Sequence, residues 1–192
     1  QAVSMPAEEL DEPVYPGLCR NAGFDDDDGA CLRLRLPDTR MTFHDRGLGP
    51  LSRQPGVQIG DFVVRRKDGQ MSYQLACAVD EVALGITEVV RGRDLVASTF
   101  RQRWVLQALQ HPIPHYRHLP LVVDADGRKL SKRDGDRELR ADQAPAQLLA
   151  VLKGLGQQLP SASERGSPQA ILHAAARLWR PEQIPTGPVR IP

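Results

Sequence analysis

The chain has 192 residues, of which 41% are hydrophobic and 26% charged, and a formal net charge of +1. That length suits one ordinary domain, or a domain with an appendage, and the composition is that of a soluble globular protein. No apolar run approaches the roughly 18 residues needed to span a bilayer and no basic-then-apolar leader is present, which excludes a membrane span and gives no sign of secretion.

Residues 1–24 are rich in proline and acidic residues and read as irregular. The run Asp25–Asp28 lacks the alternating ligands and closing glutamate of an EF-hand loop, and reads as a solvated turn. CLRLRLP (31–37) alternates apolar and basic residues as a strand with one wet face does, and MTFHD (41–45) is expected to pair with it across the Pro-Asp-Thr turn. DFVVRR (61–66) and MSYQLACAVD (71–80) read as the two strands of a hairpin joined through Lys67-Asp68-Gly69-Gln70. ITEVVRG (86–92) is a further strand. DLVASTFRQRWVLQALQ (94–110) has helical spacing at Leu95, Val105, Leu106 and Leu109, and Pro112 and Pro114 bar its continuation. HLPLVVD (118–124) reads as a short apolar strand, so strand, helix and second buried strand predict an α/β layer with a parallel component. APAQLLAVLKGLG (144–156) and SPQAILHAAARLW (167–179) predict two amphipathic helices, the second with Ser167 as N-cap and Pro168 at N1. After Trp179 the chain runs out in prolines, and there is no internal repeat.

Charge is unevenly spread. Residues 1–60 carry 6 Arg against 10 acidic residues, while residues 61–192 carry 19 Lys and Arg against 14. A polyanion, if bound, is expected to meet the later part. Cys19, Cys31 and Cys77 form no CxxC pair, and an odd count without a leader favours a reducing cytoplasm. The first residue is Gln1 rather than methionine, so the natural beginning is expected upstream.

The stretch DADGRKLSKRDGD (124–136) follows the last buried strand. From spacing alone it reads either as a solvated charged turn, the more ordinary outcome, or as a cradle for polyphosphate at the carboxyl edge of an α/β sheet. In the second reading Ser131 hydrogen-bonds a phosphate oxygen and Lys132 neutralises charge on a phosphoryl group. Neither GxxxxGK[ST] nor GxGxxG occurs. His111, His115 and His118 invite a metal hypothesis, but Pro112 and Pro114 exclude one regular helical face; they read better as loop residues before a strand. Ser98 has no companion motif of the hydrolase kind.

KLSKR (129–133) resembles the KMSKS signature of class I aminoacyl-tRNA synthetases, whose glutamyl/glutaminyl branch often has leucine at the second position. GDFVVRRKDGQMSYQLACAVDE (60–81), GITEVVRGRDLVASTFRQ (85–102) and YRHLPLVVDADGRKLSKRDG (116–135) resemble the same branch in the same order. The similarity runs over about residues 10–155 and is strongest to the short glutamyl-Q tRNA(Asp) synthetase group. It implies an α/β fold: the second half of a Rossmann-type catalytic domain over 31–140, a remnant of a zinc-binding insertion over 1–30, and a short helical C-terminal region over 141–192. It also implies a cytoplasmic, monomeric ligase that joins L-glutamate to ATP, with Mg2+, and transfers it to the queuosine base at the wobble position of tRNA(Asp).

Residue by residue, the resemblance makes Tyr73 and Arg91 glutamate-binding, both expected on strands; without it, Tyr73 reads as core packing and Arg91 as a surface strand end. Lys129, Leu130, Ser131, Lys132 and Arg133 become ATP-binding, with Lys132 catalytic through its charge on the pyrophosphate leaving group. Arg133 stands where the signature has serine. Tyr15 and Cys19, in VYPGLCR, match the two later ligands of a Zn2+ site whose earlier Cys-x-Cys pair is expected before Gln1. Cys31 and Cys77 receive no role.

The HIGH motif of class I synthetases does not occur in these residues, so the chain by itself is expected to be inactive. Full glutamyl-tRNA synthetases continue into a long helical anticodon-binding region, whereas 59 residues follow Arg133 here. With Pro192 as the true end, no anticodon-binding domain is expected. Two alternatives stand beside the main reading: a fragment of an ordinary glutamyl-tRNA synthetase charging the 3′ end of tRNA(Glu), and a non-catalytic tRNA-binding paralogue.

Overall fold

The computed structural model of the chain describes residues 3–4, 14–23, 29–130 and 140–191. They fall into two compact units, Gln1–His118 and Leu119–Pro192. Asp25–Asp28 lies outside the described residues.

The first unit begins with strand β1 (Val3–Ser4) and strand β2 (Leu32–Leu34). Strands β3 (Met41–Asp45) and β4 (Gly49–Arg53) form an antiparallel hairpin in which Met41 faces Arg53 and Asp45 faces Gly49. Strand β1 adds to β4 in parallel. The expected partner of MTFHD was CLRLRLP, and the structure corrects that pairing: β2 instead runs antiparallel to β5 (Phe62–Arg65), with Leu34 opposite Phe62. The hairpin closes within three residues because Asp45 Oδ1 accepts the N–H groups of Gly47 and Leu48 at 2.8 and 2.9 Å. Side-chain acceptance of this kind mimics a backbone turn and favours the local partner over a distant one.

After β5 the expected hairpin is also corrected. The Asp-Gly turn is present, with Gly69 at φ +81°, a value that glycine adopts without steric cost, and Arg66 N–H bonded to Gln70 at 2.7 Å. The second arm, however, is reduced to one bridge between Arg65 and Met71. The chain then enters helix α2 (Tyr73–Ala83), preceded by the short α1 (Pro55–Gln58). Ser72 caps α2 through its hydroxyl, which accepts from Leu75 N–H at 3.4 Å. Gln, Leu and three alanines follow, all good helix formers, and Leu75, Ala78 and Val82 have the spacing of a helix face. Of these, Ala78 is fully buried, and Leu75 and Val82 pack on the core.

Strand β6 (Glu88–Gly92) leads through a tight turn at Arg93–Leu95 into helix α3 (Val96–Ala108). Strand β7 (His115–Leu119) then pairs beside β6. HLPLVVD was expected as one strand; Pro120 divides it, leaving Leu119 in β7 and a second piece, β8 (Val122–Val123). His115 and His118 are thus strand residues, not loop residues, and three residues apart they face opposite sides of β7. The core of the unit gathers Phe43, Leu51, Phe62, Phe100, Leu106 and Tyr116. Phe43 meets Phe100 edge-on at 4.9 Å between ring centroids.

The β3–β4 turn docks on β7. Arg46 N–H donates to the Tyr116 carbonyl at 2.8 Å, and Asp45 Oδ1 accepts from His118 N–H at 3.1 Å. A Cβ added at Gly47 would lie 2.6 Å from the His118 carbonyl oxygen. Gly47→Ala is therefore expected to lose about 2 kcal/mol through forced separation of the turn from the strand. Thermal unfolding reads the result, and an unchanged midpoint would remove the turn's tight docking as a constraint.

In the second unit β8 pairs in parallel with β9 (Val189–Arg190). The proline-rich end, read as simply running out, returns to form this strand. Helices α4 (Ala144–Gly154) and α5 (Pro168–Leu178) pack through Leu152, Ile171 and Ala175. The expected cap is present: Ser167 Oγ accepts from Ala170 N–H at 3.2 Å. Gln157 fastens the end of α5 by accepting from Arg180 N–H at 2.8 Å and donating to the Arg180 carbonyl at 3.0 Å. No helix among the described residues is long and apolar enough to cross a membrane.

Candidate functional site

Arg91 lies near the end of β6 and is half-buried. Its Nη1 donates to Gln102 Oε1 at 2.7 Å and its Nη2 donates to Thr99 Oγ1. Both partners project from α3, one turn apart, so the helix that follows the strand holds the guanidinium. The Tyr116 ring stands 5.3 Å from the guanidinium carbon, within cation–π range. Five N–H groups in a planar fork are the side-chain arrangement best matched to a carboxylate, and Arg91 Nε has no hydrogen-bond partner.

Tyr73 sits at the first turn of α2, not on a strand as expected, and is 53% exposed. The helix places Cys77 and Glu81 on the same face at intervals of four residues. Burial of the Tyr73 hydroxyl, together with its hydrogen bond to the Cys77 thiol, holds it above the ordinary phenol value, while Arg91 pulls it down. Burial likewise raises the Glu81 carboxyl, opposed by Arg91. Tyr116, 1% exposed, is pushed up to about 12 by burial and then by the Glu81 charge. Tyr73, Cys77, Glu81, Arg91 and Tyr116 therefore share one electrostatic neighbourhood. Within it Glu81 Oε2, Gln102 Nε2 and the Tyr116 hydroxyl are buried without a hydrogen-bond partner, an unusual cluster of unpaired polar atoms around one arginine.

Behind Arg91 lies a second layer. Thr99 Oγ1 is 2.9 Å from His118 Nε2, and His118 Nδ1 is 2.6 Å from Asp45 Oδ2. Burial would raise Asp45, but the bond from His118 and three backbone N–H groups outweigh it and hold the carboxyl below its usual range. None of Asp45, Thr99, Gln102, Glu81 or Tyr116 was singled out in the sequence. A helical reading of 71–83 would have stacked Tyr73, Cys77 and Glu81; nothing in the sequence signals the reach from Asp45 to His118. Ser98, by contrast, accepts a hydrogen bond from Gln74 Nε2 at 3.1 Å and is a packing residue.

The stretch after β8 forms a tight turn. Asp124 Oδ1 accepts from Asp126 and Arg128 N–H at 3.0 and 2.8 Å, Gly127 takes φ +84°, and Lys129 bridges back to Val123. Lys129 and Leu130 emerge exposed from this turn, and Ser131, Lys132 and Arg133 lie outside the described residues.

Tyr15 and Cys19 are brought together: the Tyr15 hydroxyl accepts from Cys19 N–H at 2.6 Å, and Arg33 lies over the Tyr15 ring at 4.1 Å. As zinc donors they fit poorly alone, since a phenol and one thiol are half of a tetrahedral set and the phenol oxygen already takes a hydrogen bond. No group of three His, Cys, Asp or Glu residues able to hold a metal occurs among the described residues, His111, His115 and His118 included. Cys31 is exposed and free.

The strand–helix–strand unit that holds Arg91 and the basic turn after β8 both lie within the stretch that a family model matches. Residues 19–164 match the model for tRNA synthetases class I (E and Q), catalytic domain, and the chain belongs to that family. It is similar to the glutamyl-Q tRNA(Asp) synthetase of Pseudomonas entomophila, 43% identical over 171 residues, or 89% of this chain and 58% of that protein. The glutamyl-Q tRNA(Asp) synthetase of Pseudomonas syringae pv. syringae is 42% identical over 172 residues, again covering 58% of its length. The chain thus spans somewhat more than half of these relatives. Its fold is also that of the glutamate-tRNA synthetase of Elizabethkingia anophelis, with a TM-score of 0.69 at 20% identity over 93% of this chain and 42% of that one.

Proposed function

We propose that the protein activates L-glutamate with ATP and Mg2+ to glutamyl-adenylate, and transfers the glutamyl group to the queuosine base of tRNA(Asp). The reading is supported chiefly by Arg91, a half-buried guanidinium with no carboxylate partner among the described residues, braced by Gln102 and Thr99, in a chain 43% identical to a glutamyl-Q tRNA(Asp) synthetase. In this reading Arg91 holds a carboxylate of glutamate and the Tyr73 hydroxyl bonds a polar group of the amino acid. Lys129, Leu130, Ser131, Lys132 and Arg133 line the ATP side. Lys132 stabilises negative charge building on pyrophosphate as the glutamate carboxylate attacks the α-phosphorus. Tyr15 and Cys19 complete a Zn2+ site together with donors outside this chain, and the protein works as a cytoplasmic monomer.

The experiment is glutamate-dependent ATP–pyrophosphate exchange with the full-length protein, followed by transfer to queuosine-containing tRNA(Asp) and to tRNA(Glu). Exchange with glutamate and transfer to tRNA(Asp) alone is the expected result. Transfer to tRNA(Glu) would identify a 3′-end charging enzyme instead, and tRNA binding with no exchange would identify a non-catalytic paralogue.

A further inference from the structure

Arg91 is a cation that no carboxylate bonds directly among the described residues, yet two of its nitrogens are tied into the protein. Asp45 on β3, His118 on β7 and Thr99 on α3 stand in a row behind it. We propose that Asp45, His118 and Thr99 are positioning residues, forming a one-directional hydrogen-bond chain that brings the Asp45 charge to bear on Arg91 while leaving the second N–H of each terminal nitrogen for the substrate carboxylate. This rests on the glutamate-binding reading of Arg91 given above.

Proton bookkeeping sets the direction. Asp45 is 0% exposed, and an ionised carboxylate only accepts. Oδ1 takes the N–H groups of Gly47, Leu48 and His118; Oδ2 takes His118 Nδ1 at 2.6 Å. Nδ1 therefore carries a proton, and in a neutral ring Nε2 carries a lone pair. The group facing Nε2 is the Thr99 hydroxyl at 2.9 Å. Thr99 has one proton and two takers, Nε2 and the Leu95 carbonyl at 3.1 Å. An imidazolium at His118 would turn that proton to Leu95 and leave two cations, His118 and Arg91, donating into one buried oxygen. The neutral ring avoids this clash of charge. Arg91 then donates to Thr99, Thr99 to His118, and His118 to Asp45.

Bonds aligned in this way polarise one another in a low-dielectric interior. A direct ion pair would occupy the fork with a protein carboxylate. The relay compensates the arginine through two neutral side chains, so the guanidinium is fixed before substrate arrives and loses little freedom on binding. Glu81 also lies near Arg91, but burial raises its carboxyl, which makes it the poorer counter-charge.

The test uses the full-length protein. Thr99→Val keeps the shape and removes the hydroxyl. It is expected to raise KM for glutamate about tenfold with KM for ATP within twofold of wild type, and Thr99→Ser is expected to recover most of the loss. In the wild-type protein, nitrogen-15 NMR of His118 near neutral pH is expected to show the neutral ring protonated on Nδ1. An Nε2–H tautomer, an imidazolium, or equal shifts of both KM values in Thr99→Val with a lowered melting midpoint would each overturn the proposal. If Arg91→Lys raises KM for glutamate and Thr99→Val does not, the relay fails while the site stands. If Arg91→Lys leaves glutamate untouched, the site reading fails, whatever the His118 tautomer.

Discussion

Arg91→Ala is expected to lower kcat/KM for glutamate in ATP–pyrophosphate exchange by about a thousandfold. Truncating one member of a desolvated, hydrogen-bonded charge pair costs about 4 kcal/mol, and each 1.4 kcal/mol or so is tenfold in rate. Two effects add in this protein. In the proposed reading the substrate carboxylate loses its donor, and in the structure Gln102 Oε1 and Thr99 Oγ1 lose the donor they now face. Gln102 is fully buried and its Nε2 already lacks a partner, so removing Arg91 leaves the whole amide unpaired. Lysine at the same position restores charge but not the planar pair of donors, and about a hundredfold loss is expected for it. A loss below tenfold in Arg91→Ala would remove Arg91 from the binding site.

Asp45→Ala is expected to act first on stability. The carboxylate accepts from three backbone N–H groups and from His118, all at 3.1 Å or less, and is fully buried. Its removal strands those donors and undoes the turn between β3 and β4, at a cost of about 3–5 kcal/mol. The first unit's thermal midpoint should fall by roughly 10 °C. The same carboxylate sets a dependence on acidity. Its folded value lies below the unfolded one, so folding is favoured by its ionised form. That contribution is fully present above about pH 4, the unfolded value, and is lost as pH falls through the depressed folded value. Asp45→Ala should therefore flatten the acid limb of the stability curve. An unchanged acid limb, measured by denaturant titration below pH 4, would separate Asp45 from acid unfolding.

Much of this was legible in the sequence, for identifiable reasons. The helices 96–108, 144–154 and 168–178 carried helical spacing with proline or serine at their ends, which are local signals. Arg91 and the KLSKR stretch were found by resemblance, where order along the chain mattered more than any one residue. The failures share a cause. MSYQLACAVD sets one aromatic and one β-branched residue, Tyr73 and Val79, among helix formers, and Ser72 caps it as a helix. MTFHD took a neighbour across a three-residue turn because Asp45 reaches back to its own backbone. Neither side-chain-to-backbone bond leaves a periodicity to read. The bracing of Arg91 was hidden for the opposite reason: it joins residues 45, 91, 99, 102 and 118, which become neighbours only after folding.

The bond between Asp45 and His118 closes a loop of 73 residues that contains β4, β5, α2, β6 and α3. Long closures lose chain entropy before any contact rewards them, so such bonds form late. The local strand–helix turn supplies the two direct bonds of Arg91, to Gln102 and Thr99, but not the Asp45–His118 bond behind Thr99. That final brace arrives with the same step that seats the first hairpin against the last strand of the unit. A nascent chain of this protein would pass through a stage in which Arg91 is held from α3 while the Asp45–His118 bond behind Thr99 is still open. Completion of the bracing behind Arg91 and completion of the fold are, for this unit, one event.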